Sequence, residues 1–226
     1  MRVLALDTAL NACSAAVLDT QRRDLVAGET RPMTRGHAEA LMPLVARVMD
    51  AARLEFAEID RIAVTVGPGS FTGVRVGIAA ARGIALAAGK PAIGLTTLAA
   101  FTAPHIAAGF TGTVVAVIDA RHGQVYMQVF GPGGRALAPP RLAGVRDALQ
   151  AARTGPALIV GSGADLVAAE WPAGEPPPTV IASSAPDIGW VARLGAAAQA
   201  DRALPKPLYL RPPDAQPQDA ARLPHR

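Results

Sequence analysis

This chain has one cysteine and four histidines in 226 residues, and aromatic residues make up 4% of it. Each shortage removes a class of function. Cys13 alone cannot build a disulfide framework or a thiolate metal cluster within one chain. His37, His105, His122 and His225 are scattered, and none forms the H-x-x-x-H or H-E-x-x-H spacing of a zinc site. Lysine is nearly missing: Lys90 and Lys206 stand beside twenty arginines. Residues 1–110 and 111–226 each carry 11 basic and 9 acidic side chains, so the formal charge of +4 is spread without a basic arm for nucleic acid. The few aromatics leave no stacking platform for a single strand; Phe71 and Tyr126 are the ones set in motifs. No segment has the length and apolarity of a membrane span. Arg2 and the apolar residues after it are interrupted by Asp7, which reads as a strand rather than a secretion signal. A cytoplasmic protein with an aliphatic, alanine-rich core, without a metal or cofactor of its own, is the expectation.

What the chain does have is concentrated in residues 64–94, VTVGPGSFTGVRVGIAAARGIALAAGKPAIG. A β-branched run at 62–66 reads as a buried strand. Glycines and Pro68 punctuate it, Ser70 or Thr72 can cap a helix over 73–88, and Gly89 suits its C-terminal end. On that helix Arg75 and Arg82 alone break an otherwise apolar or small surface. Gly73, Gly77 and Ala81 recur at four-residue spacing, and Ala79 and Gly83 repeat it. A helix over 37–53 is also apolar over more than half its circumference, with Pro43 predicting a kink or a later start. Two over-wide helices so close in sequence imply a second apolar contact beyond their own sheet. The expected seam is Leu41, Val45, Met49 and Val74, with Gly77 and Ala81 where helices approach closely.

The remaining pattern is a repeat. VLALDT at 3–8 and VAVIDA at 115–120 are apolar strands that end in Asp7 and Asp119, each followed by a polar turn and another strand. Strands are expected at 3–6, 14–18 and 24–30, then at 114–118, 124–130, 157–160 and 180–181. Helices are expected at 97–107, 143–152, 165–169 and 187–200. The reading is α/β, with two related halves that each open on a β-meander. The divisions are 1–109, 110–203 with a last helix that can pack back on the first half, and a proline-rich tail, 204–226, irregular except around 208–211.

Several residues invite chemical readings. The glycine loop 67–73 resembles an anion cradle feeding a helix N-terminus, but no Lys-Ser/Thr follows it as in a Walker A loop, and a tight packing turn is as good a reading. Asp7 and Asp119 could ligate a nucleotide-bound magnesium, with Thr8 and Asn11 as weak phosphate contacts and Gly161 and Gly163 beside an adenine or ribose. Turn-forming roles are favoured for all of these, because no glycine-rich phosphate loop stands beside either carboxylate. Ser70 lacks a G-x-S-x-G frame and reads as a cap.

LALDTALNACSAAVLD at 4–19, GHAEALMPLV at 36–45, VGPGSFTGVRVGIAAARGIA at 66–85, IDARHGQVY at 118–126 and PLYLR at 207–211 together resemble the TsaB family. The resemblance implies an actin/Hsp70-like (ASKHA), two-lobed fold built on duplicated ribonuclease-H-like meanders. It implies the non-catalytic dimerisation subunit of the bacterial machinery that makes N6-threonylcarbamoyladenosine at position 37 of tRNA. The partner would be TsaD, a catalytic paralogue that binds metal and nucleotide. It would meet helices 37–53 and 73–88, with the ATPase TsaE in a larger complex and tRNA reached through the complex. A second copy is the alternative occupant of these helices when TsaD is absent, and the sequence leaves monomer and homodimer open. TsaD's metal-binding histidine pair has no counterpart in this sequence. The alternative is a small-molecule or sugar kinase of the same superfamily.

Overall fold

A computed structural model describes residues 1–22, 24–199 and 203–211. Three antiparallel strands open the chain: β1 (Arg2–Asp7), β2 (Ala12–Asp19) and β3 (Asp24–Pro32). Helix α1 (His37–Ala52) leads to β4 (Arg61–Thr65), α2 (Phe71–Ala88), β5 (Ala92–Leu95) and α3 (Thr97–Ala107). The same order then repeats. Strands β6 (Thr113–Arg121), β7 (Gln124–Phe130) and β8 (Arg141–Gly144) are followed by α4 (Val145–Ala152), β9 (Ala157–Gly161), α5 (Ala164–Ala169), β10 (Thr179–Ala182) and α6 (Ile188–Ala197). The sheets run β3-β2-β1-β4-β5 and β8-β7-β6-β9-β10. In each, a meander is extended by two parallel strands added beside its first strand.

This is the duplicated, two-lobed actin/Hsp70-like architecture. The short similarity between VLALDT and VAVIDA reports a repeat of whole lobes. The copies differ in helix length: α1 and α2 have 16 and 18 residues, whereas α4 and α5 have 8 and 6.

Alternation along the strands sorts the first core into two faces. Leu4, Leu6, Cys13, Val17, Ile62 and Val64 meet α1 and α2. Val3, Ala5, Ala16 and Ala63 meet Ile188, Val191 and Ala192 of α6. Alanines on this second face let α6 come close; a Cβ on Gly195 would lie 2.3 Å from that of Ala63. The last helix of the chain thus covers the first sheet. Conversely α3, which precedes the second sheet, buries Leu98 and Phe101 against Val114, Ala116, Ile118, Leu158 and Val160. α3 and α6 form a shared layer between the sheets.

Three local details differ from the sequence reading. Helix α1 runs through Pro43, whose ring sits on the exposed side, where the lost hydrogen bond faces water. Helix α2 begins at Phe71, two residues early, because Ser70 is its cap and accepts from the Gly73 N–H. Strand β8 lies in a segment read as loop and helix start: four residues ending in glycine carry too little pattern for a strand. Of the tail from 204 onward, residues 212–226 fall outside the described residues, while 203–211 are ordered but neither helix nor strand.

Candidate functional sites

At the carboxyl end of β1 the candidate ligand residues are sealed. Asp7 is fully buried; its Oδ1 accepts from the Thr65 hydroxyl and the Ala9 N–H. Among the described residues its Oδ2 has no hydrogen-bond partner, nor does the buried Oγ of Ser14, the residue opposite it on β2. Burial pushes the Asp7 carboxyl above its usual range, against the opposing effect of the Thr65 and Ala9 bonds and the nearby His37. The same burial, with the Asp7 charge, pushes the Cys13 thiol up to about 11.

Thr8 is buried as well, and its hydroxyl donates to the Gly73 carbonyl at 2.7 Å. The glycines of the 67–73 loop explain the closure. A Cβ at Gly69 would stand 2.3 Å from the Ala9 carbonyl oxygen, and one at Gly73 would stand 2.1 Å from that of Thr8. The loop is therefore folded onto the strand end, and its glycines serve close backbone approach rather than an open cradle.

Asp119 occupies the equivalent point of the second lobe and lies in the open. It lines a cleft of about 570 Å³ between the lobes, together with Asn11, Ser70, Phe71, Arg121, Tyr126, Ser162, Tyr209 and Arg211. Gly161 and Gly163 are packing residues. Their Cβ atoms would meet the Val117 carbonyl oxygen at 2.3 Å and the Asp119 N at 3.0 Å. Thus of Asp7, Thr8, Asp119, Gly161 and Gly163, only Asp119 faces the cleft. Among the described residues there is no group of three His, Cys, Asp or Glu side chains that could hold a metal ion.

The expected seam on α1 and α2 is corrected by the packing. Leu41, Val45, Met49, Val74, Gly77 and Ala81 are all buried within the lobe. Gly77 faces inward, where a Cβ would lie 2.6 Å from the Thr8 hydroxyl and 3.4 Å from Val64. A wheel with too wide an apolar arc does not say which part meets its own sheet. The second small row, Ala79 and Gly83, is the outward one, on the opposite side of the helix.

That outer face carries a shallow apolar depression of about 520 Å³, lined by Met42, Phe56, Ala57, Ala80, Gly83, Ile84, Ala87 and Ala88. Met42 is 46% exposed and Leu86, further along α2, is 86% exposed. Nothing lies within 4 Å of a Cβ built on Gly83. Contrary to the sequence reading, α2, alone of the described helices, has at 18 residues the length and hydropathy to cross a membrane; here its inner side packs on the first sheet.

Relatives resolve what kind of protein presents this face. The family model for TsaD, tRNA N6-adenosine threonylcarbamoyltransferase, matches residues 31–158. The tRNA threonylcarbamoyladenosine biosynthesis protein TsaB of Escherichia coli (strain K12) is 38% identical over 126 residues, 56% of this chain and 53% of its own length. The chain therefore aligns with about half the length of that curated relative. The solved structure of YeaZ from Pseudomonas aeruginosa superposes with a TM-score of 0.76 at 27% identity, covering 92% of this chain and 99% of that one. This chain belongs to the TsaB/YeaZ family. An uncharacterized protein of Mycobacterium tuberculosis matches across nearly the whole chain, 35% identical over 219 residues, 95% of this chain and 94% of its own. The TsaB/YeaZ likeness thus extends through both lobes, beyond the segment shared with the TsaD model.

Proposed function

We propose that this chain is the non-catalytic subunit of the tRNA N6-threonylcarbamoyladenosine machinery and binds the catalytic paralogue TsaD through the outer faces of α1 and α2. Gly83 carries the argument. A mid-helix glycine costs about 0.5–1 kcal/mol relative to alanine, and here no neighbour among the described residues requires it. A glycine retained on an exposed, small-residue helix face makes sense when another helix comes down on it. The surrounding Met42, Ala80 and Ala87 supply the apolar contact. Family membership supports TsaD as the occupant, since the TsaD model itself spans α1 and α2 in its match to residues 31–158.

The wider assignment follows from the same reading: TsaE joining in a larger complex, tRNA reached through TsaD, a second copy on the same face when TsaD is absent, and a cytoplasmic location. The test is titration of TsaD with the wild type and the Gly83→Arg variant, with thermal unfolding of each chain alone. The expected result is a melting temperature no lower than that of the wild type and association weakened by at least tenfold. Unchanged affinity would remove this face from the interface. Complementation of a strain lacking the subunit, read as threonylcarbamoyladenosine content of bulk tRNA, tests the pathway itself.

A further inference from the structure

The segment 203–211 has no regular structure, yet it crosses from one lobe to the other. On the first lobe it is held at several points. The Leu208 N–H donates to the Val66 carbonyl at 2.8 Å. The Arg82 Nε donates to the Pro205 carbonyl at 2.9 Å, and the Arg75 Nε to the Tyr209 hydroxyl at 2.7 Å. The Tyr209 ring lies 5.1 Å from that of Phe71, and the Arg75 guanidinium sits 3.6 Å above Phe71. Both arginines that interrupt the apolar surface of α2 are thus engaged on this strap.

On the second lobe the side-chain hydrogen bonds come from Arg211. The Arg211 Nη1 donates to the Ala120 carbonyl at 3.1 Å and Nη2 to the Gln124 side-chain oxygen. These two acceptors bracket the β6–β7 turn. That turn is unusual: Arg121, His122 and Gly123 have φ of 64°, 52° and 70°, three successive left-handed residues of which two are not glycine. Such conformations persist where the surroundings over-determine them.

The geometry points to a latch: α3 and α6 hinge the lobes at the base of the cleft, and Arg211, on a strap fixed to the first lobe, pins the strained 121–123 turn and so sets the opening of the cleft. The equivalent turn of the first lobe, 8–11, needs no such device, since α2 is packed directly onto Thr8 and Ala9. The second lobe has the six-residue α5 in that place; its turn is held locally by the Asp119 Oδ1, which accepts from the Arg121 N–H at 2.7 Å, and by the Val145 N–H, which donates to the Gly123 carbonyl at 3.3 Å, and the strap adds the Arg211 bonds across the cleft. This arrangement is independent of what docks on α2.

Arg211→Ala and Gln124→Ala, each in the full chain, test it. Hydrogen exchange of the amides at 120–124 should quicken by about tenfold in both variants, while the Leu208 amide, bonded to Val66, keeps its protection. Spin labels on Asp50→Cys and Leu166→Cys, with Cys13 buried and unlabelled, should give a wider inter-lobe distance distribution in Arg211→Ala than in the wild-type background. Wild-type exchange at the turn or a wild-type distance distribution would overturn the latch. So would loss of protection throughout both sheets in both variants, which would make Arg211 an ordinary stabilising contact.

Discussion

Thr8 and Gly73 meet where β1 ends and α2 begins: the Thr8 hydroxyl donates to the Gly73 carbonyl, and the Thr8 carbonyl oxygen occupies the space a Gly73 side chain would need. The contact is backbone against backbone, so nothing flexible can yield. Gly73→Ala should lower stability by about 1–3 kcal/mol, the usual cost of overpacking. Gly83→Ala, in the same helix with open space above it, should raise stability by roughly 0.5–1 kcal/mol. Urea unfolding of both variants measures the difference. Equal effects would mean that α2 does not seat on β1 as described.

Arg61 makes a second long-range tie. Its Nη1 donates to the carbonyls of Gly195 at 3.0 Å and Ala198 at 2.8 Å, at the C-terminus of α6. A guanidinium there satisfies orphan carbonyls and complements the helix dipole. Arg61→Met should cost about 1.5–3 kcal/mol, the range for hydrogen bonds to a charged group. Exchange of the α6 amides should rise before that of β1. Unaltered stability would show that α6 is held by its apolar face alone.

The lobes were legible from the start because the repeat is written in strand patterns, which pleated geometry makes explicit: VLALDT and VAVIDA alternate onto two buried faces. The exchange of third helices was legible only in part: the last helix could be expected to pack back on the first half, but nothing in the pattern put α3 on the second sheet. Leu98 and Phe101 look the same whichever sheet they cover, and only chain tracing shows that it is the second. The misassigned seam has a similar origin. Gly77 and Gly83 are both helical glycines at small-residue spacing; one is required by Thr8 and the other by nothing among the described residues. The signal that could have separated them was already there. The inward row joins the glycines of the preceding turn, Gly69 and Gly73, and so belongs to packing. Arg211 and Tyr209 gain their partners, 91 and 134 residues away, only in three dimensions.

Nucleotide affinity is the measurement that would separate this chain from a kinase of related fold. The loop that would cradle phosphate is folded against Ala9, and Asp7 and Thr8 lie beneath it. Calorimetry of the isolated chain with ATP and magnesium should show no saturable site up to about 1 mM, or roughly 4 kcal/mol of binding free energy. A stoichiometric micromolar site lost on Asp119→Asn would restore the kinase reading and place the metal in the cleft.

Asp7 offers the last prediction, in the pH dependence of folding. Its carboxyl is buried at the centre of the first sheet, one oxygen bonded to Thr65 and Ala9 and the other unpartnered. Burial raises its pKa above the ordinary carboxylate range. The folded state therefore binds this proton more tightly than the unfolded chain does. The resulting stability is fully present below the unfolded value and is lost as pH rises through the folded one, with a slope of up to about 1.4 kcal/mol per pH unit in between. Asparagine keeps an acceptor for Thr65 and Ala9 and places a neutral amide where Oδ2 stands. Asp7→Asn should thus match the wild type near pH 4 and exceed it increasingly at higher pH. The difference between the two urea-derived stability curves reads out the carboxylate. Parallel curves from pH 4 to 8 would mean that Asp7 stays charged in the fold and that its unpartnered oxygen is met by a group not seen here, which would return it to the list of ligand residues.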